Sequence, residues 1–501
     1  MKVIKLIIVV FTIFFTTTSC DKEFLDVSPK GQFLSENYYA DQGQAFSALV
    51  GVYDVLRKNS GGFENMIAMM NAGSDDQFAG GGGASDGAGI QGFSNYTLNP
   101  VIMPESFWND HYQGIFRANT ILLKVPSTTM DESLKARYLA ETKALRALYY
   151  FNLVRLFKNV PLLLDPLTAT NMYEVTQSSP AAVYAQIEKD LNEAIANLPA
   201  TVPLSTEAGR MTKGAAQAIL GKALLYQNKG AQAAAVLAEV NGTPGGTSQY
   251  GYKLLGNFDD LWVASNKFHS ENILECSHSS AGNSDWGWWG AGNDEGNTLN
   301  VMVGPRSYAL TEGSLAPDLP SGWSFNVFTQ DFYNVMKGDP RFHATIFDLK
   351  ELSTLGQANY IGGYQNTGYF LNKFLPRRAD VRTGGGALEL NYRQNTPIIR
   401  LADTYLMEAE ALGGTGPRAQ ALLDAVRNRA GLSSVPVSLA AIKAERRLEL
   451  AGEGHRFFDL VRWGDAATKL ADRGFKSGKN EIFPIPVREL NGTKLVQNPG
   501  Y

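Results

Sequence analysis

The sequence predicts a mainly α-helical protein in which tetratricopeptide-like helix pairs form a scaffold for long irregular loops and a few short strands. Apolar residues recur at helical spacing through most of 41–240 and again through 396–501. The stretch between them, 241–395, is rich in glycine, asparagine and serine instead. No change in composition marks a linker, so we expect one compact body in which stacked helix pairs bury a shared core.

The first 40 residues have the pattern of an export signal followed by a tether. Lys2 and Lys5 precede an apolar run at 6–15, and small polar residues lead to Cys20. The apolar run is too short to span a bilayer. A cysteine in this position resembles a bacterial lipoprotein processing site. We therefore predict a lipoprotein signal peptide at 1–19, acylation of Cys20 and a polar tether at 20–40.

Residues 41–240 are predicted to be helical apart from one glycine-rich loop. The expected helices lie at 42–57, 108–122, 131–157, 179–198, 212–226 and 231–240. The third is apolar on two sides, which indicates a helix packed between neighbours. Ser179, followed by Pro180, and Thr212 are typical helix N-caps. The glycines at 80–83 have no Gly-Lys-Ser/Thr after them, so we interpret them as a mobile loop rather than a phosphate site.

The region 241–395 is predicted to form a loop-rich ligand face, and 396–501 to close the body with further helix pairs. Short strands are expected at 273–277 and 369–374. The loops between such strands are long, and long loops in compact proteins are usually functional or disordered. We expect closing helix pairs at 404–412 with 417–429 and at 439–451 with 456–470.

A glycine-rich loop holds three of the seven tryptophans within four residues: Trp286, Trp288 and Trp289. Indole faces stack on the C–H faces of sugar rings, and amides or carboxylates bind the hydroxyls, so this pattern favours carbohydrate. We expect at least one of the three to contact ligand; otherwise they hold the loop against the body. Further candidate ligand-binding residues are Trp323, Tyr308, Asp75, Asp76, Gln77, Asn95 and Tyr96.

Composition and motifs argue against nucleic-acid binding and give no support for catalysis. The 45 basic and 49 acidic residues are nearly balanced, without a basic run. No His-Glu-x-x-His or Cys-x-x-Cys occurs, and carboxylate pairs such as Asp259 with Asp260 are too common to indicate a glycosidase. Cys276 lies between His269 and His278 without a further metal ligand. We expect no catalytic residue, metal or cofactor, and a buried Cys276.

The stretch 444–463 is predicted to be a structural corner of helix, Gly-x-Gly turn and helix. Four guanidiniums have four carboxylates within reach in the same stretch. The guanidiniums belong to Arg446, Arg447, Arg456 and Arg462, and the carboxylates to Glu445, Glu449, Glu453 and Asp459. We interpret these groups as ion pairs that set the angle of the helices, rather than as catalytic groups around His455.

The same stretch resembles the C-terminal signature of the SusD/RagB family of outer-membrane nutrient-binding lipoproteins, and 400–412 and 483–501 also fit that family. The resemblance implies a right-handed superhelix of tetratricopeptide-like pairs, with a SusD-like helical region at 41–240 and a SusD/RagB region at 241–501. It implies a lipid-anchored protein on the outside of the outer membrane that captures oligosaccharides for a TonB-dependent, SusC-like transporter. Family ligand contacts vary, so none is transferred to this chain.

Two other functions remain compatible with the sequence. A member of the same family can bind peptide instead of sugar, and a helical-repeat scaffold can bind protein partners alone. A glycosidase would differ from all of these because it would release reducing ends over time.

Overall fold

A computed structural model describes residues 38–282, 285–286, 295–382 and 385–501. The predicted signal peptide, Cys20 and most of the tether lie outside the described residues, and so do Trp288 and Trp289. Those predictions therefore stay predictions.

The regular secondary structure in the first half of the described chain is helical. Its α-helices are α1 (Gln42–Tyr53), α2 (Met66–Ala72), α3 (Ala88–Ser94), α4 (Ser106–Lys124), α5 (Glu132–Phe157), α6 (Pro180–Asn197), α7 (Leu204–Glu207), α8 (Lys213–Tyr226) and α9 (Gly230–Asn241). Ser179 and Thr212 cap α6 and α8 through their hydroxyls, as predicted.

The second half contains shorter helices and the strands. Its α-helices are α10 (Thr298–Val303), α11 (Gln330–Met336), α12 (Phe342–Thr345), α13 (Leu349–Thr354), α14 (Leu401–Ala411), α15 (Gly416–Arg429), α16 (Leu439–Glu449), α17 (Arg456–Arg462), α18 (Ala466–Lys469) and α19 (Val487–Leu490). Its strands are β1 (Asn272–Cys276), β2 (Ala309–Leu310), β3 (Ile346–Asp348), β4 (Ala358–Asn359), β5 (Tyr369–Leu371) and β6 (Thr396–Arg400). They form three antiparallel pairs in the described part: β1 with β6, β2 with β4 and β3 with β5.

The longer helices stack in sequence, which confirms the predicted helical scaffold. Helix α4 packs on α5, α5 on α6, α6 on α8, α8 on α9, and α9 on α14, which packs on α15. Helix α5 is buried on more than one side, as its two apolar faces predict. One apolar core runs from Ala45 to Ile485, and a smaller cluster around Leu319 and Phe370 lies beneath the loops. None of the helices within the described ranges is both long and apolar enough to cross a membrane.

The corner at 444–463 is a buried ion-pair network, but most of its partners come from elsewhere in the chain. Glu449 is fully buried and accepts from Arg341 at 2.8 Å, from Arg400 at 2.6 Å and from Arg429. Burial by itself would raise the pKa of Glu449, yet the three guanidiniums hold that pKa well below its usual range.

Among the contacts of the described residues, every ion pair that joins two residues of this stretch involves Asp459. Its partners are Arg446 and Arg462. Arg447 and Arg456 instead reach the loop after α2, at Asp76 and Asp75. The network therefore joins α16 and α17 to distant segments rather than only to each other.

Candidate functional site

Three aromatic side chains form a partly exposed surface, which we call the aromatic shelf: Phe63, Trp286 and Trp323. Trp286 is 48% exposed, and its ring centroid lies 6.0 Å from that of Trp323 at an interplanar angle of 35°. Phe63 also lies beside Trp323, with ring centroids 6.1 Å apart and an interplanar angle of 45°. The buried ring of Phe325 supports Phe63 edge-on at 5.2 Å. The rings thus form a bent apolar surface on a packed base.

Backbone hydrogen bonds fix the segment that carries Trp323. The Trp323 amide donates to the Val301 carbonyl at 2.9 Å, and the Phe325 amide donates to the Met302 carbonyl at 2.7 Å. Gly322 crosses Gly304 so closely that a Cβ on Gly322 would overlap the Gly304 backbone. Such an approach needs glycine at the crossing.

The glycine-rich loop at 80–83 packs against the other edge of this segment. The Gly81 amide donates to the Ser324 carbonyl at 2.8 Å, and the Gly81 carbonyl accepts from the Tyr364 amide at 2.8 Å. Gly81 has a φ of +86°, and a Cβ there would lie 2.6 Å from the ring of Phe325. The sequence predicted a mobile loop at 80–83, but the structure places Gly81 in a tightly packed position that favours glycine.

An ion pair lies beside the shelf and offers polar groups for hydroxyls. Arg306 and Asp86 are each about one-third exposed, with Nη2 3.3 Å from Oδ2. The Asp86 carboxylate also accepts from the Gly82 amide at 2.6 Å, which ties it to the glycine loop. Aromatic rings with adjacent charged and amide groups can bind a sugar by stacking and hydrogen bonding.

Comparisons with known proteins identify the family. One family model, described as starch-binding associating with outer membrane, matches residues 23–225, and the SusD family model matches 329–480. A solved structure of a laminarin binding SusD-like protein is 65% identical, covers 92% of this chain and 100% of that chain, and has a TM-score of 0.91. The chain belongs to the SusD-like family.

Two further relatives of this SusD-like chain are more distant. A SusD-like protein of Formosa agariphila is 28% identical over 98% of this chain and 97% of its own length. A structure of surface glycan-binding protein A from Bacteroides thetaiotaomicron in complex with laminarihexaose is 25% identical, covers 91% of this chain and 99% of that chain, and has a TM-score of 0.80. The similarity therefore extends over nearly the whole SusD-like chain.

Of the sequence-predicted ligand residues, the structure brings Trp286 and Trp323 together at the shelf. Tyr308 is instead buried, and its hydroxyl donates to the Pro317 carbonyl at 2.7 Å. We remove Tyr308 from the candidate site of this SusD-like protein because its ring packs in the small loop core.

The candidates that follow α2 hold the scaffold together, and we correct their assignment as ligand residues. Asp75 accepts from Arg456 at 2.8 Å, while Asp76 is buried and accepts from Arg447 at 2.5 Å. Burial and the Asp75 charge raise the pKa of Asp76, although the two guanidiniums oppose that shift. These carboxylates are occupied by structural partners.

The remaining candidates are Gln77, Asn95 and Tyr96. Gln77 is buried and donates to the Asn326 carbonyl at 2.6 Å, and the buried Tyr96 hydroxyl donates to the Gly73 carbonyl. Both side chains therefore lie inside the fold. Asn95 is exposed, but the described contacts do not place it at the shelf.

Sequence reasoning missed Phe63, Asp86 and Arg306. Phe63 follows Gly61 and Gly62, and this glycine-aromatic pattern is the one that singled out the Trp286 loop. The same signal could have found Phe63. No local pattern marks Arg306, which reaches Asp86 only through the fold.

Reactive side chains are present but enclosed. Ser60 Oγ lies 2.7 Å from His278 Nε2, and Cys276 Sγ lies 3.3 Å from the same nitrogen, with all three residues buried. Burial raises the pKa of the Cys276 thiol to about 12 and lowers that of His278 to about 4, so neither charged form is favoured. Among the residues that the structure describes, no three His, Cys, Asp or Glu side chains cluster as a metal site.

Proposed function

We propose that this chain binds laminarin, a neutral glucan, at the aromatic shelf and captures its oligosaccharides for uptake. The observation that carries the proposal is the half-exposed ring of Trp286 beside Trp323, together with the hydrogen bonds that fix the backbone of Trp323. Single exposed apolar residues are common, whereas several aromatic rings grouped at one surface mark an interaction site.

The shelf has the chemistry that a neutral glucan needs. Each indole can stack on the C–H face of one pyranose ring, and the Arg306–Asp86 pair supplies a donor and an acceptor for hydroxyls. Because the Trp286 and Trp323 planes differ by 35°, neighbouring sugar units that stack on them must also be tilted. A bent chain fits such a surface better than a flat ribbon.

Relatives support both the ligand class and the choice of glucan. The 65% identical structure is of a laminarin binding SusD-like protein, and the glycan-binding neighbour was solved with laminarihexaose. The first identity is high over the entire length of that chain, so most of its side chains are shared with this one.

The proposal includes the setting in which the glucan is captured. We propose that Cys20 is acylated, that residues 20–40 tether the body to the outside of the outer membrane, and that a TonB-dependent, SusC-like transporter receives the oligosaccharide. The family model that begins at residue 23 is described as associating with outer membrane, which supports that location. The test is fractionation of cells that express Cys20→Ala, which we expect to release the protein from the outer membrane.

Calorimetric titration with laminarin oligosaccharides tests the binding site. We expect Trp286→Ala and Trp323→Ala each to weaken binding about tenfold or more, which corresponds to about 1.4 kcal/mol. Tyr173→Ala is the matched control because Tyr173 is also about half exposed but belongs to the segment between α5 and α6. Circular dichroism and thermal unfolding should match the wild type for all three variants.

Two outcomes would contradict the proposal. Unchanged laminarin binding by both tryptophan variants would remove the shelf as the site. Binding of a peptide pool in preference to laminarin, or release of reducing ends during incubation, would favour a peptide-binding protein or a glycosidase.

A further inference from the structure

A second cavity, which we call the second pocket, lies in the loop-rich region. It has a volume of about 370 Å³ and is lined by Trp262, Asn300, Arg377, Asp380 and Gln394, with further residues of the same loops. That volume falls in the range of small-molecule sites, about 300–1,000 Å³. None of the three shelf residues lines it.

Three side chains of the second pocket each keep a buried polar atom without a hydrogen-bond partner in the described part of the chain. These atoms are Trp262 Nε1, Asn300 Oδ1 and Arg377 Nη1. Buried polar groups in folded proteins are nearly always paired, because an unpaired group loses its hydration without compensation. All three residues line the second pocket.

The orientation of Asn300 is fixed by its neighbours, so its free atom is an acceptor. Asn300 is 2% exposed, and its Nδ2 donates to the Phe374 carbonyl and to Gln394 Oε1, each at 2.6 Å. Gln394 Nε2 in turn donates to the Trp262 and Lys373 carbonyls at 2.9 and 2.8 Å. With both amide nitrogens committed to carbonyl partners, Asn300 Oδ1 requires a donor such as a hydroxyl.

Trp262 has a hydrogen-bond donor, the indole N–H, that lacks a partner among the described residues. Phe258 and Phe374 pack edge-on against its ring at 5.7 and 5.6 Å, and Lys373 Nζ lies 4.6 Å from the ring centroid. These contacts fix the position of the ring, and its indole N–H is buried. That group requires an acceptor.

Arg377 contributes a positive charge that forms no ion pair among the described residues, although the nearby Asp380 charge favours the protonated form and so raises the pKa of Arg377. Its Nη2 donates to Asn372 Oδ1 at 2.6 Å, whereas nearby Asp380 is paired with Arg393 at 2.8 Å. Asp259 lies at the pocket but is exposed to solvent. Burial lowers the pKa of Arg377, which shows that the site disfavours an unpaired charge there. The unpaired Nη1 of this guanidinium can donate to one oxygen of an oxyanion.

We propose that the second pocket binds a sugar unit that carries an oxyanion, either a uronate carboxylate or a sulfate ester, next to a hydroxyl. The oxyanion accepts hydrogen bonds from Arg377 and from the indole N–H of Trp262, and the hydroxyl donates to Asn300 Oδ1. This inference rests on the proposed glycan binding and extends it, because stacking on the shelf does not select for charge. The protein would then discriminate anionic substituents on a captured glycan.

The test uses the whole protein labelled with ¹⁵N-tryptophan, titrated with a glucuronate-containing oligosaccharide, a sulfated glucan oligosaccharide, neutral laminarin oligosaccharides and inorganic sulfate. The indole N–H signal of Trp262 is assigned by its loss in Trp262→Phe, which keeps an aromatic ring. We expect an anionic saccharide to shift this signal and the neutral one to leave it unmoved. A response to uronate alone identifies the carboxylate, and one to the sulfated glucan alone identifies the sulfate ester.

Calorimetry then measures the contribution of the charge. Arg377→Gln should weaken binding of the anionic saccharide about tenfold or more, as expected for a lost charge-assisted hydrogen bond. Arg378→Gln is the matched control, because Arg378 is the next residue, is exposed and does not line the second pocket.

The inference is wrong if neither anionic saccharide shifts the Trp262 signal, if Arg377→Gln binds them as the wild type does, or if inorganic sulfate alone binds as tightly. Trp286→Ala separates this failure from failure of the proposed function. That variant should bind laminarin more weakly at the shelf and keep the Trp262 response to an anionic saccharide.

Discussion

The ion-pair corner at 444–463 and the aromatic shelf both concentrate side chains that are common in binding sites, but they are built in opposite ways. At the corner, Glu449 is fully buried between three guanidiniums that come from distant segments. At the shelf, the ring of Trp286 is half exposed beside Trp323, whose own segment is held by backbone hydrogen bonds. Dense charge here marks a scaffold, and function is expected where large rings remain in contact with solvent.

The strongest test of this comparison removes the central charge of the corner. Glu449→Gln leaves Arg341, Arg400 and Arg429 without their shared carboxylate, and breaking a buried pair costs about 3–5 kcal/mol. We expect chemical unfolding to show a loss of this size, or expression to yield unfolded protein. Glu351→Gln, at an exposed carboxylate, should change the free energy of unfolding by less than about 0.5 kcal/mol. Equal stability of the two variants would show that the network contributes little.

We expect acid to lower the free energy of unfolding without changing laminarin binding at the shelf. Burial lowers the pKa values of His111 and His278 to about 4, whereas an unfolded histidine titrates near 6.5. Between these values the unfolded state binds more protons, so stability falls as the pH drops from about 6.5 to 4. The expected loss is about 2 kcal/mol for each histidine near pH 5.

Urea unfolding at pH 7 and pH 5 measures this loss, and His111→Gln should reduce the difference between the two. Laminarin affinity of the folded protein should stay the same at both values, because the shelf rings carry no titrating group. A flat stability profile over this range would contradict the assignment of neutral buried histidines.

A substitution in the glycine-rich loop at 80–83 should affect both the stability of the protein and laminarin binding at the shelf. Gly81→Ala places a Cβ against the Phe325 ring at a φ of +86°, and a left-handed conformation costs a non-glycine residue about 1–2 kcal/mol before any clash. We expect lower stability and weaker laminarin binding, since Phe325 supports Phe63. Gly83→Ala is the control, because a Cβ there would meet no atom within 4 Å. Equal behaviour of the two variants would restore the mobile-loop interpretation.

The smallest effect should come from the ring that the sequence did not single out. Phe63→Leu keeps an apolar contact with Trp323 and Phe325 but removes the aromatic face. Titration should show laminarin affinity reduced by less than about tenfold, below the loss in Trp286→Ala. A larger loss than in Trp286→Ala would move the centre of the site from Trp286 to Phe63.

Helix positions were largely predictable because they depend on neighbours in the sequence. Asp131, Ser179 and Thr212 cap their helices as local patterns indicate, and the double-faced pattern of 131–157 appears as a buried helix. The site was predictable only in part. Two of the candidates, Trp286 and Trp323, lie side by side at the shelf. Five others have side chains that bond to other groups of the fold: Asp75, Asp76, Gln77, Tyr96 and Tyr308.

The misassigned residues share one physical cause. A polar or aromatic residue in a glycine-rich stretch has the same local sequence whether its side chain is solvated or paired with another group inside the fold. Asp76 is neutralised by Arg447, and no local pattern contains that partner. Burial depends on long-range packing that a local pattern does not encode.

The sequence by itself determined the helical scaffold, its caps, the charged corner and the family, because periodicity, capping and short motifs are local properties. The tertiary structure decided which charges neutralise each other, which rings remain exposed beside Trp323, and that Trp262, Asn300 and Arg377 line one pocket. These outcomes depend on which distant segments the packed core brings together, and that arrangement exists only once the chain has folded.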